Sequence, residues 1–286
     1  MPKTIVILNP AARSERAAGL CREIEAVVGN HVALRRTSKS GEARSLARQA
    51  VAKGYQHIVV AGGDGTVNEV VNGIAGSAAT LGILPVGTMN VFASELGLPK
   101  GIKECWEVIR AGKTRVIDLP KAADHAFVQM AGVGFDAQAL KETSWDAKRN
   151  LGPLSYVITA AQVAARKPPA LHVEAGGVGR EGSFVLIGNG RYYGGPFPVF
   201  PNARIDDGLL DVIVLKNVGH LDLIRYLQGV LFGTHVGMND VEYFQAASLT
   251  VTSAEEVPVE VDGEVIGNVP VTFECGHRKL RVLTPA

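Results

Sequence analysis

Five consecutive residues, Gly62-Gly63-Asp64-Gly65-Thr66, set three glycines around one acid. Glycine lets backbone N–H groups approach a ligand closely, because no Cβ stands in the way. Just before them, residues 58–61 (Ile-Val-Val-Ala) form an apolar run that reads as a short buried strand. Just after them, Val67, Val70, Val71 and Ile74 recur at i, i+3, i+4 and i+7, the stripe of a helix with one buried side. The turn thus aims a helix N-terminus, the positive end of its dipole, at whatever lies over the glycines, and phosphate is the natural guest. An acid inside such a turn repels bare phosphate, so Asp64 points to a nucleotide carried with Mg²⁺. Two commoner phosphate motifs do not fit. The spacing G-x-G-x-x-G fails because Gly63 and Gly65 are followed by Asn68, and Gly112-Lys113-Thr114 lacks the first P-loop glycine, position 107 being Glu.

Two more acidic turns stand out. Asp206-Asp207-Gly208 lies in a glycine turn, and Asp262-Gly263 lies between alternating apolar residues, a two-residue hairpin signal. A lone acid, Asp118, ends an apolar strand-like run.

The elements that must position these groups fall into two textures. Up to about residue 120, strands at Thr4–Leu8, 31–36, 58–61, 81–84 and 114–119 alternate with helical stripes. The stripes are Ala17/Leu20/Cys21/Ile24/Val28, Ala43/Leu46/Ala47/Ala50/Val51, the one after Thr66, and Ile102/Cys105/Trp106/Ile109. This alternation predicts a parallel, doubly wound α/β sheet, whose ligands bind outside the carboxyl ends of the strands. Those ends carry residues 9–13, Thr37, 62–66 and 85–90. From 121 to 286 the pattern turns β-rich: 125–131, 171–174, 183–189, Leu210–Leu215, Ser248–Thr252, 257–261, 269–274 and Lys279–Leu283, with helices at 154–165 and 221–232. Short strands joined by glycine turns predict an antiparallel sandwich as a second domain, with the extreme C-terminus free to pack back on the first.

Composition bounds the function. The chain has 286 residues, 47% hydrophobic and 20% charged, with a net charge of +1, so a sizeable core is expected and no bulk pull toward nucleic acid. No stretch supplies about 18–20 consecutive apolar residues, so no transmembrane helix is expected, and the N-terminus lacks a signal-peptide layout. Cys21, Cys105 and Cys275 have no metal-like spacing and read as reduced thiols.

Residues 62–73, GGDGTVNEVVNG, resemble the nucleotide loop of the diacylglycerol kinase catalytic domain family, the fold shared by bacterial lipid kinases and sphingosine kinases. NAD kinases and 6-phosphofructokinases carry a related GGDGT, but Asn68-Glu69 and Asn72-Gly73 look like the lipid-kinase branch. Further stretches resemble the family in its order: Asn9-Pro10-Ala11-Ala12-Arg13, Pro85-Val86-Gly87-Thr88-Met89-Asn90, Val116-Ile117-Asp118-Leu119, the glycine-rich 188–196, residues 201–211 ending DDGLLD, and Val261-Asp262-Gly263-Glu264. The resemblance implies ATP over the glycine turn, held by Asn9, Pro10, Arg13, Thr37, Gly62, Gly63, Asp64, Gly65, Thr66, Asn68, Glu69, Gly87 and Thr88. For Arg13 a solvated helix start is an equal alternative. It implies that Asp64 and Asp118 hold water or Mg²⁺ near the phosphates and that Glu264 is the general base. It also implies a structural Mg²⁺ on the Asp207 carboxylate and the carbonyls of Arg204 and Leu209. The chain departs from the family pattern N-D-F-A-R: Val91 and Ser94 stand where an acid and a base are usual.

The expectation is an ATP- and Mg²⁺-dependent lipid kinase acting on a hydroxyl of a lipid such as diacylglycerol. Such a protein would be cytoplasmic and touch the membrane surface transiently, with Lys141, Lys148, Arg149, Arg166 and Lys167 as a basic patch or plain solvated faces. A homodimer is left open. The rivals are another GGDGT kinase, such as an NAD kinase, and a fold that binds lipid or nucleotide without turnover.

Overall fold

The computed structural model describes residues 2–10, 17–135, 137–138 and 168–285. Ala11, Ala12 and Arg13 of the first loop, the helix expected at 154–165, and Lys141, Lys148, Arg149, Arg166 and Lys167 lie outside the described residues. The chain folds as two compact units, one of residues 1–119, 194–196 and 277–286, the other of 120–193 and 197–276.

In the first unit strands and helices alternate: β1 (Thr4–Leu8), α1 (Ala17–Val28), β2 (Ala33–Arg36), α2 (Glu42–Ala52), β3 (His57–Gly62), α3 (Asp64–Ile74), β4 (Thr80–Pro85), α4 (Val91–Glu95), α5 (Ile102–Ala111) and β5 (Thr114–Asp118). The sheet runs β2-β1-β3-β4, then the strand Lys279–Leu283, then β5. All neighbours pair parallel except β5, which is antiparallel to Lys279–Leu283. β1 and β3 are buried along their whole length because helices cover both faces. Val6, Leu8 and Val59 pack against Ile24 and Val28 of α1 and Cys105, Trp106 and Ile109 of α5. Ile5, Ile7, Ile58 and Val60 point the other way and are also buried, on the side where α2 and α3 meet the sheet. The short helix α4 carries no periodic stripe long enough to read from sequence.

The second unit comprises β6 (Lys121–Ala122), β7 (His125–Ala126), β8 (Met130–Gly134), β9 (Leu171–Ala175), β10 (Val178–Gly182), β11 (Phe184–Gly188), β12 (Leu210–Leu215), α6 (His220–Phe232), β13 (Val241–Ala246), β14 (Ser248–Thr252), β15 (Pro258–Val261), β16 (Glu264–Asn268) and β17 (Val271–Glu274). Two antiparallel sheets form, in the orders β10-β9-β14-β17-β6-β7 and β13-β12-β11-β8-β15-β16. Inward residues of both make one core around Val173, Val185, Ile187, Val212, Val214, Leu249 and Phe273. In the second sheet the alternate residues are buried too: Phe184, Leu186, Ile213 and Leu215 pack with Phe200 and with Tyr226 of α6. That double cover explains why β11 and β12 read as unbroken apolar runs.

Candidate active site

The glycine turn is shaped by close backbone contact between two neighbouring loops. A Cβ on Gly87 would lie 2.4 Å from the Cα of Gly63, and one on Gly63 would lie 3.1 Å from the Cα of Gly87. Only two glycines can meet this way, so the loops after β3 and β4 are pressed together. Val86 donates its N–H to the Gly62 carbonyl at 3.1 Å. Asn90, in the left-handed region at φ 49°, closes its own loop: its Oδ1 accepts from Gly87 N and its Nδ2 donates to Gly87 O, both at 2.9 Å. Gly63 caps α3 in extended conformation with no side chain to offer the helix, and around Gly65 nothing lies within 4 Å of where a Cβ would be. The N-terminus of α3 therefore carries an open glycine face, the arrangement that receives an anion.

Asp64, the first residue of α3, is half-buried and lies against the start of α4, accepting the Phe92 N–H at 3.3 Å. Burial pushes its carboxyl above the usual range, while the N–H groups of Phe92, Val91 and Asn90 pull the other way. Val91 is buried in the first turn of α4, and the Ser94 hydroxyl donates to the Asn90 carbonyl at 3.0 Å. The place of the usual acid and base is thus filled by packing and by backbone bonding.

Around the turn, Asn9 at the end of β1 donates from Nδ2 to Thr66 Oγ1 at 2.9 Å, and its own N–H goes to the Ala61 carbonyl. Pro10 follows at the turn after β1. Thr37, after β2, is buried and donates its N–H to Leu8. Thr88 is exposed at the tip of the 85–90 loop, beside a cavity of about 590 Å³ floored by Val86, Leu98 and Ile102. Two expected nucleotide residues have other partners. Glu69 receives the N–H groups of Gly41 and Ala43 at 2.8 and 2.9 Å, capping α2, whose own N-cap glycine has no side chain. Asn68 is buried and bonded to the Asn72 amide one turn later. Asp118 is wholly buried and ion-paired with Lys279, its register partner on the adjacent strand. Sequence reading did not find Lys279, because the pairing depends on a strand insertion 161 positions away.

In the second unit, Gly208 at φ 81° turns the chain so that Asp207 Oδ1 accepts the Leu209 N–H at 3.0 Å; Arg204 Nε lies 3.8 Å from Asp206 Oδ1. The buried Asp211 accepts from Tyr243 and Gln245, and burial, with the charge of Asp207 adding to it, pushes its carboxyl upward. Asp207 itself is exposed on this turn, and a carboxylate oxygen is the donor type that a hard divalent cation takes. No cage of three or more His, Cys, Asp or Glu occurs among the described residues.

The Asp262-Gly263 pair has φ 46° and 84°, the signs of a type I′ turn, and joins β15 to β16 with Val261 opposite Glu264. Its carboxylate has a second task that sequence spacing does not show. Oδ2 accepts from Val128 N at 2.8 Å, and Oδ1 from Gln129 N and Met130 N at 3.0 and 3.1 Å. Beside it the buried Glu260 accepts from Tyr193 OH at 3.0 Å and from Gly263 N at 2.8 Å. Gln129 and Asn189 complete the tie, donating to the carbonyls of Tyr192 and Val128 at 2.8 Å each. The glycine-rich 188–193 stretch is thus stapled to the hairpin, and Glu264 stands exposed at the first position of an edge strand.

The chain is similar to known proteins along nearly its whole length. Residues 3–122 match the family model of the diacylglycerol kinase catalytic domain, and residues 129–284 that of the YegS C-terminal NAD kinase beta sandwich-like domain. The chain is 30% identical to a diacylglycerol kinase of Staphylococcus carnosus (strain TM300), over 98% of this chain and 94% of that one. It is 35% identical to a probable lipid kinase YegS-like of Pseudomonas aeruginosa, over 99% and 95%. A solved structure of a diacylglycerol kinase from Bacillus anthracis str. Sterne superposes with a TM-score of 0.81 at 28% identity, covering 99% of this chain and 97% of that one. With both halves matched in order and relatives aligned end to end, the chain belongs to the diacylglycerol kinase and YegS-like lipid kinase family.

Proposed function

We propose that this protein transfers the γ-phosphate of ATP, with Mg²⁺, to a hydroxyl of a lipid such as diacylglycerol. The observation that carries this reading is the Gly63–Gly87 contact, which leaves the N-terminus of α3 open beside Asp64. Backbone N–H groups of that turn hold the phosphates, with Asn9, Pro10, Arg13, Thr37, Thr66, Asn68, Glu69 and Thr88 shaping or lining the nucleotide site. Asp64 and Asp118 orient water or metal at the phosphates, and Lys279 fixes Asp118 in place. When bound, Mg²⁺ neutralises phosphate charge. Glu264 accepts the proton of the lipid hydroxyl; the hydroxyl oxygen bonds to the γ-phosphorus as the bond to the β–γ bridging oxygen breaks, and ADP leaves. Asp207, with the carbonyls of Arg204 and Leu209, would hold a second, structural Mg²⁺. The protein works from the cytoplasm and meets its acceptor at a membrane surface. No helix among the described residues is long and apolar enough to cross a membrane.

The test is transfer of labelled phosphate from ATP to a panel of lipid alcohols with and without Mg²⁺. Labelled lipid formed only with Mg²⁺ supports the reading. ATP binding without any labelled lipid overturns it in favour of a non-catalytic binding protein, and phosphorylation of NAD in its place assigns another GGDGT kinase.

A further inference from the structure

The loop after β4 borders two spaces. Gly87 is pressed on Gly63 of the glycine turn, and the next two residues, Thr88 and Met89, line the cavity of about 590 Å³. Every residue that lines this cavity belongs to the first unit. Its volume falls in the range of about 300–1,000 Å³ usual for small-ligand sites. Its apolar walls are Leu20 of α1, Val86 and Met89 of the loop, Ala93 of α4, Leu98 between α4 and α5, and Ile102 at the start of α5.

What the cavity can hold follows from its lining. Among the described residues no aromatic side chain lines it, so a nucleobase would find no ring to stack on. Two of its three neutral polar side chains are spent within the fold. The Asn90 amide is bonded at both ends to Gly87, and the Ser94 hydroxyl donates to the Asn90 carbonyl. Its two charged side chains, Glu23 and Lys100, are exposed and of opposite sign, so it draws an ion of neither sign. The N-terminus of α5 opens on it as well, but the Glu104 carboxylate lies where a Cβ on Gly101 would stand, so an acid already covers that helix end. Aliphatic walls without net charge, whose polar groups are mostly spent, suit hydrocarbon. The third polar side chain, Thr88, stands next to Gly87 at the phosphate turn, so a chain held here has its polar end beside the place of transfer. We propose that this cavity takes one acyl chain of the acceptor lipid. This rests on the reading that the protein phosphorylates a lipid hydroxyl. It adds which residues grip the lipid and thereby set its chain-length preference.

The test is steady-state kinetics on diacylglycerols with acyl chains of four, six and eight carbons, used as monomers in water, for wild type, Ser94→Phe and Glu23→Trp. Each substitution sets a ring into the cavity from a different wall, α4 or α1, at an exposed position, so matching thermal melts establish folding. Each methylene moved from water to an apolar site tightens binding by about fourfold, so the wild-type KM should fall at least tenfold from four to eight carbons. In both variants that ratio should shrink to a third or less, with ATP affinity, read by nucleotide titration, within about twofold of wild type. Isothermal titration with dioctanoylglycerol reads lipid binding without chemistry and should weaken about tenfold in each variant. A wild type without length dependence, or a variant that keeps more than a third of it, overturns the proposal. So does loss of ATP affinity in both variants with lipid binding unchanged, which makes the nucleotide the occupant. If lipids are phosphorylated with the same length dependence by all three proteins, the cavity fails and the kinase reading stands. If no lipid is phosphorylated but wild type binds dioctanoylglycerol and both variants lose it, the kinase reading fails and the cavity stands.

Discussion

Replacing Asp262 should destabilise the fold before it alters chemistry. Its carboxylate is the sole side chain receiving the Val128, Gln129 and Met130 N–H groups in the contacts described above, at 2.8, 3.0 and 3.1 Å, and the residue is nearly buried. Hydrogen bonds to a charged group contribute about 1.5–3 kcal/mol each, and three on one carboxylate are not fully additive, so Asp262→Ala should cost about 4 kcal/mol. Alanine at φ 46° adds about 1 kcal/mol of left-handed strain. Asp262→Asn tolerates that conformation and keeps one acceptor oxygen, but sets an amide N–H₂ against a donor; about 2 kcal/mol is expected. With a urea slope of about 3 kcal/mol per M, the alanine variant should unfold at a midpoint lower by more than about 1 M, and the asparagine variant between it and wild type. Native-state hydrogen exchange should show the amides of residues 128–130 exchanging faster in both. Glu264→Gln, two positions on and exposed, should leave the midpoint unchanged. A midpoint shift under about 0.3 M for Asp262→Ala, with those amides still protected, would refute the assignment and return Asp262 to a plain turn residue.

Glu264→Gln should lower lipid phosphorylation by about 10²–10⁴-fold while leaving ATP affinity within about twofold, measured by steady-state kinetics and nucleotide titration. Gly87→Ala forces a Cβ to 2.4 Å from the Gly63 Cα, so it should cost about 1–3 kcal/mol and weaken ATP binding together with stability; calorimetry reads both. Asp64 has its carboxyl raised by burial, so the folded state favours the protonated form; its contribution is most favourable below the ordinary value of 3.8 and is lost as pH rises through the raised one. Asp64→Asn should therefore gain stability relative to wild type as pH rises from acid to neutral, seen as diverging thermal midpoints, while losing Mg²⁺-ATP affinity. Asp207→Ala should release one bound divalent ion per chain, counted by elemental analysis, and lower the thermal midpoint only when Mg²⁺ is present.

The doubly wound half was readable because its central strands β1, β3 and β4 are buried on both faces and its longer helices keep one apolar stripe, so periodicity reports them directly. Of the strands that escaped reading in the sandwich, the two-residue Lys121–Ala122 is too short to show a pattern, and the three longer ones, Val178–Gly182, Val241–Ala246 and Glu264–Asn268, lie at sheet edges. Edge strands carry glycine and charge that keep them from pairing further, which erases the apolar pattern by which strands are recognised. The site divides in a similar way. The glycine turn and the hairpin turn show in the residue types, because only certain residues adopt those backbone angles. The partners of Glu69, Asp118 and Asp262 do not show, because each bonds to a segment at least 26 positions away whose place is set by the fold. The Glu69 carboxylate illustrates the limit: its motif suggests a ligand contact, and its oxygens cap α2.

The strand Lys279–Leu283 has a consequence for synthesis. It lies between β4 and β5 in the first sheet, and those two strands do not pair with each other. When β5 leaves the ribosome, the strand that must join it to β4 is still about 160 residues from being made, which at about 5–20 residues per second is a delay of roughly 8–32 s. Through that interval β4 presents an open edge of unpaired backbone groups, and the carboxylate of Asp118 waits without its lysine. The nucleotide-binding half therefore emerges first and is finished last. Its maturation is tied to translation of everything downstream, and a nascent chain stalled anywhere in the sandwich would expose a parallel-sheet edge for chaperones or aggregation to find.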